Sequence, residues 1–191
     1  IPVGKWIIQN AFSMCTECRK YYPEFRVSIN LSYVQILKSP LMMELKQMID
    51  HSGISCSGII VELTESGYLE GTPAVRSVWN DMKQLRIQIA LDDFGTGYSN
   101  LMNISNLEPD IVKLDRGFTL KALSRSYEYQ LMQYVIEMVH KLNQYVCVEG
   151  VETKEDLEKI KALGPDLIQG YYYSKPCSRN EFLKKFFCYS E

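Results

Sequence analysis

The stretch Ala90-Leu91-Asp92-Asp93-Phe94-Gly95-Thr96-Gly97-Tyr98-Ser99 sets two adjacent carboxylates at the end of a short apolar run, followed at once by a glycine turn. The chain repeats the device. Ile59-Ile60-Val61 runs into Glu62, Ile111-Val112 into Lys113, Val146-Cys147-Val148 into Glu149, and Leu167-Ile168 into Gln169, while Asn30 stands near the end of the run from Phe25 to Leu31. Asn30, Glu62, Asp92, Asp93 and Glu149 offer only oxygen donors, and neither His51 nor His140 closes such a run. An all-oxygen set selects hard cations (Mg²⁺, Mn²⁺ or Ca²⁺) over zinc. Two carboxylates about 4 Å apart repel by roughly 4 kcal/mol at an effective dielectric near 20. A cluster of them therefore requires bound cations or protonation. Lys113 offsets one charge and can position a water or help deprotonate it. Such a set suits two-metal hydrolysis of a phosphate ester, with an aspartate bridging ions roughly 3.5–4 Å apart. Adjacent side chains of a regular strand point to opposite faces, so Asp92 and Asp93 share metals only if the strand bends where they sit.

The elements that must position these groups alternate. Helical spacing over Val3–Arg19 (Ile8, Phe12 and Cys15, with Ile7, Ala11, Met14 and Cys18 beside them) predicts a first helix. A strand follows over Phe25–Leu31, then a helix begun by Ser39-Pro40, carried by Leu41, Leu45, Met48 and Ile49 and stopped by Gly53. The pattern continues with a strand at Ile59–Leu63, a helix at Val75–Leu85, a strand at Ile87–Leu91, a short helix near Asn100–Ile104 and a strand at Ile111–Leu114. A long helix is expected over Tyr127–Leu142, with Leu131, Tyr134, Val135, Met138 and Leu142 on one face. Val146–Val148 is the next strand. Thr153-Lys154-Glu155-Asp156 opens a helix with a capping box, Leu167–Tyr171 is the last strand, and Ser178-Arg179-Asn180-Glu181 caps a final helix. Strands apolar on both faces belong in a parallel sheet covered by helices. The choice is then between a doubly wound open sheet and a (β/α)8 barrel. Functional groups of an open sheet gather at its switch point, whereas here every strand end carries a polar candidate, which favours the barrel. Six strands are too few to close one, so the expectation is an α/β, TIM-like (β/α) barrel that is incomplete, with about six βα units.

Composition narrows the classes. A chain of 191 residues, 46% hydrophobic, can bury one sizeable core and is read as one domain, residues 1–191. A net charge of −2 provides no field for a nucleic-acid polymer and no polybasic membrane patch. No apolar run approaches the roughly 20 residues of a membrane span, and no signal peptide opens the sequence. The six cysteines are scattered. Cys15-Thr16-Glu17-Cys18 is a lone C-x-x-C on a predicted helix, without a second pair or a nearby histidine, and is read as part of a reduced, cytoplasmic chain rather than a zinc or redox site.

Each motif also has a plainer reading. A single Glu or Asp after a strand is commonly a helix cap or a loop residue. Asn30-Leu31-Ser32 alone reads as a turn, and Lys113 could simply pair with Asp115. Glu65 and Glu152 read as loop-holding groups more than as ligands. Gly95-Thr96-Gly97 lacks the third glycine of a dinucleotide fingerprint, and Tyr171, Tyr172 and Tyr173 read as packing. The coincidence of so many polar residues on one rim outweighs these separate accounts.

Taken in order, Val27-Ser28-Ile29-Asn30-Leu31-Ser32, Val61-Glu62-Leu63-Thr64-Glu65-Ser66, Asp92-Asp93-Phe94-Gly95-Thr96-Gly97-Tyr98-Ser99, Asp110-Ile111-Val112-Lys113-Leu114-Asp115, Val148-Glu149-Gly150-Val151-Glu152-Thr153 and Gln169-Gly170-Tyr171 resemble the successive motifs of the EAL domain. These domains are bacterial signalling phosphodiesterases that linearise cyclic di-GMP to pGpG. The likeness runs from Val3-Gly4-Lys5-Trp6 to Lys175-Pro176. It implies a two-metal site for Mg²⁺ or Mn²⁺: Asn30, Glu62 and Asp92 on the first ion, with Asp92 bridging to a second held by Asp93 and Glu149. It implies that Lys113 contacts the nucleophilic water and that Gln169 lies at the same site. Glu65 matches the glutamate that fixes the loop after Asp92-Asp93, a loop tied in the family to homodimerisation and activity. The same resemblance puts Asp115, Gly150, Gln169 and Pro176 at the substrate, and groups Lys113, Glu149 and Glu65 as catalytic. An upstream sensory or cyclase domain is a further expectation.

One motif is missing. The family's Glu-Ala-Leu segment, with its ligating glutamate and an arginine that meets the substrate, lies upstream of the stretch resembling Ile1–Trp6. The resemblance thus implies a domain without its N-terminal portion, short of one ligand of the first metal and weak or inactive by itself. It also implies unpaired edges at the strands around Ile29 and Ile168. The competing reading is an EAL domain that has lost catalysis and serves as a cyclic di-GMP receptor or protein-interaction module. A metal-dependent aldolase on a similar barrel would need a Schiff-base lysine in an apolar pocket, which Lys113, between Asp110 and Asp115, fits poorly.

Overall fold

The structure is a computed structural model, and it describes residues 2–38, 40–64, 73–96, 104 and 108–187. Among them helices and strands alternate: α1 (Pro2–Cys18), β1 (Val27–Asn30), α2 (Tyr33–Lys38), α3 (Leu41–Ser52), β2 (Ile59–Thr64), α4 (Pro73–Gln84), β3 (Gln88–Phe94), β4 (Ile111–Leu114), α5 (Arg116–Ser124), α6 (Ser126–Lys141), β5 (Tyr145–Val148), α7 (Lys154–Lys161), β6 (Leu167–Ile168) and α8 (Arg179–Phe187). The strand order follows the chain from β1 to β6, and the pairings seen are parallel. The architecture is thus the α/β, barrel-type arrangement of six βα units that the alternation predicts.

The chain gathers into two compact units. The first comprises Ile1–Leu63, Glu70–Ile89 and Pro176–Glu191, the second Thr64–Leu69 and Ala90–Lys175. In the first, β1 pairs with β2, and Asn30 stands opposite Glu62. Its core is built from the apolar faces of helices whose periodicity is visible in the sequence: Ile8, Phe12 and Cys15 of α1, Leu41, Leu45 and Ile49 of α3, and Val75, Trp79 and Met82 of α4 are all buried. Each side chain of this size contributes about 1.5–3 kcal/mol by leaving water. Gly53 ends α3 in the left-handed conformation, its N–H donating to Ile49 O. Ahead of α8, the Ser178 backbone N–H and hydroxyl both donate to Glu181, while the Glu181 N–H reaches the Ser178 hydroxyl. These bonds hold the Glu181 carboxyl below its ordinary pKa.

In the second unit β3, β4, β5 and β6 pair in that order. The four residues of β4 are buried without exception, as a parallel strand covered on both faces requires. Four features depart from the sequence reading. The helix expected at Tyr127 is preceded by a separate one, α5, capped by Asp115 and divided from α6 by Arg125 in an extended conformation. The buried face of α6 is Met132, Ile136 and Val139, while Leu131, Tyr134 and Leu142 of the expected face are exposed. Both stripes have helical spacing, and packing against α5 and β5 selects the first. The last strand is two residues long and stops before Tyr171, which lies in a turn. Lastly, α2 is a helix for which the sequence reading gives no element, and Ser32 and Gln35 form a reciprocal cap at its start. Of the helix expected near 100–104, only Ile104 falls among the described residues; it is helical and buried.

Among the described residues Cys15, Cys18, Cys56, Cys147 and Cys177 are free thiols. Cys15 and Cys18 are buried in the wall of α1, and burial pushes the Cys18 thiol up to about 11. A thiol so far from ionisation is a packing group. No helix among the described residues is long and apolar enough to cross a membrane.

Candidate functional site

The polar residues fall where the apolar runs end, because a parallel strand buried on both faces admits charge only at its mouth. Like Glu62 of β2 and Asp92 of β3, Lys113 falls inside its strand rather than after it, and it organises the site. It lies within β4 and is 5% exposed. An ammonium this deep costs several kcal/mol unless it is paired. Two carboxylates supply the pairing: Asp92 on β3 at 2.8 Å and Glu149, just past β5, at 2.7 Å. The Glu149 N–H donates to Leu114 O, so the end of β5 is tied to the end of β4 beside the charge cluster. The pairing of Lys113 with Asp115 that a sequence reading allows is not formed. Asp115 stands beyond the strand and caps α5, accepting from the Gly117 N–H at 2.7 Å.

The adjacent aspartates resolve the problem of alternation in an unexpected way. The strand does not end before them, as Ile87–Leu91 predicts, but continues through both to Phe94. The register with β4 shifts between Leu91 and Phe94, and Asp93 has a φ of 62°. A residue in the left-handed region inside a strand breaks the two-residue alternation and kinks the chain. The bend required for Asp92 and Asp93 to act together is therefore built into the strand. Gly95 follows with a φ of 103° and lies against Phe118, which would meet an added Cβ at 3.0 Å.

At the mouth of the first unit, Asn30 and Glu62 are register partners on β1 and β2. Glu62 is buried, and the Ser28 hydroxyl donates to its Oε1. Sequence reasoning passed over Ser28. Its signal was available: it lies two residues before Asn30 and so shares that residue's face of the strand. Gln169 follows β6, with its N–H on Val148 O and its carbonyl accepting from Val151. Gly150, at φ 80°, forms the turn after Glu149. Pro176 is exposed in the segment before α8. Glu65 and residues 97–99 lie outside the described residues.

The structure thus brings together Asp92, Lys113 and Glu149, and separately Asn30, Glu62 and Ser28. Among the described residues no three acidic, histidine or cysteine side chains form a ready metal cluster. The donor chemistry nonetheless fits a hard cation. Asp92 and Glu149, both oxygen donors, already converge on a single positive charge, that of the Lys113 ammonium.

Comparison with known proteins agrees with the motif order. The model of the EAL domain matches residues 1–176. Cyclic di-GMP phosphodiesterase PdeF of Escherichia coli K12 is 30% identical over 174 residues, 91% of this chain and 23% of that protein. Cyclic di-GMP phosphodiesterase PdeR of the same organism is 31% identical over 176 residues, 92% of this chain and 27% of that protein. The solved structure of the EAL enzyme Bd1971 in its cAMP and cyclic-di-GMP bound form superposes with a TM-score of 0.90 at 29% identity, over 96% of this chain and 51% of that one. The chain therefore spans about a quarter of the length of these curated relatives.

Proposed function

The chain belongs to the EAL domain family, and on that premise we propose that it hydrolyses cyclic di-GMP to pGpG as a divalent-metal phosphodiesterase. One observation carries the reading: a buried lysine, Lys113, held between Asp92 and Glu149 at the mouth of adjacent parallel strands. A structural ion pair needs one carboxylate; a second gathers the negative charge that suits a hard cation and a phosphodiester. The names of PdeF and PdeR, cyclic di-GMP phosphodiesterases, point to the same substrate.

In this reading Asn30, Glu62, Asp92, Asp93 and Glu149 would hold two divalent ions, Mg²⁺ or Mn²⁺. When bound, such ions supply a water of lowered pKa and neutralise charge on the phosphate. The chain's own groups orient the reaction. Lys113, fixed by two carboxylates, points its ammonium at the attacking water and steadies the hydroxide character that develops there. Water attacks one phosphorus in line, the P–O3′ bond breaks, and the proton lost by the water balances the one gained by the departing 3′ oxygen. The kink at Asp93 keeps the two aspartates from facing opposite ways, and Asp115, Gly150, Gln169 and Pro176 are assigned to substrate contacts. Glu65 is assigned to holding the loop that follows Asp93. An adjoining sensory or cyclase domain and a homodimer belong to the same reading.

The test is pGpG formation from cyclic di-GMP with Mn²⁺ or Mg²⁺, by the 191-residue chain and by a form extended upstream. Activity in either form that is abolished by Glu62→Ala supports a hydrolase. Binding of cyclic di-GMP without cleavage in both forms makes the domain a receptor instead.

A further inference from the structure

We propose that Arg116 is a positioning residue that holds the Glu149 carboxylate on Lys113 by clasping the turn in which Glu149 lies; the catalytic part of this inference rests on the function proposed above. The turn runs Glu149-Gly150-Val151-Glu152. Its outer end carries Glu152, and Arg116 reaches the same oxygen of that side chain with both Nε (3.2 Å) and Nη2 (2.7 Å). This contact raises the Arg116 pKa. The arginine gets there by lying across Gly150. A Cβ at position 150 would stand 2.4 Å from Arg116 Cγ, 2.9 Å from its Cβ and 3.1 Å from its Cα. The glycine therefore does two things at once: it permits a φ of 80°, and it leaves the groove that the arginine stem fills.

The result is two ion pairs near the ends of β4 and β5, one from within β4 to the residue after β5 and one from the first residue of α5 to the turn beyond. The inner one, Lys113 with Glu149, is nearly buried; the outer one, Arg116 with Glu152, is largely exposed, at 57% and 40%. Backbone bonds link the levels. Glu149 N–H donates to Leu114 O, Val151 N–H to Gln169 O, and Tyr172 N–H to Val151 O. The backbone bonds fix the turn at its base and at the buried Val151, and Arg116 adds a hold on the exposed Glu152 at its outer end. With its far end clasped, the Glu149 side chain is confined to the arc that meets Lys113. An exposed ion pair adds little to stability, so its effect belongs to orientation, and outer partners of this kind commonly change activity or metal affinity by tenfold or more.

Two measurements decide it. The first is amide hydrogen exchange of the 191-residue chain, which requires no activity. In Arg116→Ala, exchange at Val151 and Glu152 rises about tenfold relative to the rest of the protein, while Tm moves by no more than about 3 °C. Unchanged exchange at those amides overturns the clasp. The second is steady-state kinetics in whichever form hydrolyses cyclic di-GMP. Arg116→Ala and Glu152→Gln each lower kcat about tenfold with little change in KM, their effects fail to add in the double variant, and the charge exchange Arg116→Glu with Glu152→Arg restores most of the loss. Additive losses, or a change confined to KM, overturn the positioning role. If neither form cleaves the substrate, the functional reading fails, and the exchange experiment still judges the clasp.

Discussion

The two strand mouths hold their carboxylates by different means. At the end of β2, Glu62 is buried beside a hydroxyl, that of Ser28, with Asn30 opposite in register. At the ends of β3 and β5, Asp92 and Glu149 share an ammonium, that of Lys113. A hydroxyl orients a carboxylate without cancelling its charge, whereas an ammonium does both. The second arrangement lowers the repulsion between two carboxylates and makes the cluster stable without a bound cation. What differs between the two is the sign of the neighbour, and substitutions can separate orientation from neutralisation.

The sharpest break is Lys113→Met. It leaves two carboxylates facing each other in a nearly closed site, so unfolding free energy falls by about 3 kcal/mol and kcat by on the order of 10³-fold. Thermal melts with and without Mn²⁺ check the asymmetry: added metal stabilises the variant more than the wild type, because it takes the place of the lost charge. Gly150→Ala comes next. Its φ of 80° and the Arg116 stem in the space of the new methyl together cost roughly 2 kcal/mol, read as a fall in the urea midpoint without a change in slope. Ser28→Ala tests the hydroxyl mouth alone. It costs about 1 kcal/mol, lowers activity about tenfold, and leaves the melt of Lys113→Met unaltered when combined with it beyond simple addition. Smallest is the effect of alkali on the α1 wall. The Cys18 pKa is raised from 9.0 to about 11 in the folded chain. The unfolded thiol therefore ionises first, and this contribution to stability is present below pH 9 and lost as pH rises toward 11. Chemical melts at pH 8 and pH 10, compared between wild type and Cys18→Ala, read it directly.

Much of this was legible in the chain because buried parallel strands leave a plain trace: an apolar run stopped by one polar residue. Lys113, Glu149 and Asp92 were found that way, and α1 and α3 through their spacing. What escaped had two kinds of cause. Some signals were present and outweighed. Ser32 and Gln35 cap α2 and Asp115 caps α5, yet helices of six and nine residues carry too short an apolar stripe to stand out by spacing. Others depend on tertiary choice. The α6 helix is apolar on two faces, and only the packing of α5 and β5 tells Met132 from Leu131. The kink at Asp93 belongs to the second kind, since nothing in Asp92-Asp93 states which residue leaves the alternation.

From β3 to β6 each strand pairs with the one that precedes it in the chain. During synthesis, then, no strand in this part must wait for a distant partner to be made. Asp92, Lys113 and Glu149 thus stand on or just after successive strands, and the pairings that bring them together close short stretches of chain, the kind of connectivity that forms faster than pairing between distant segments.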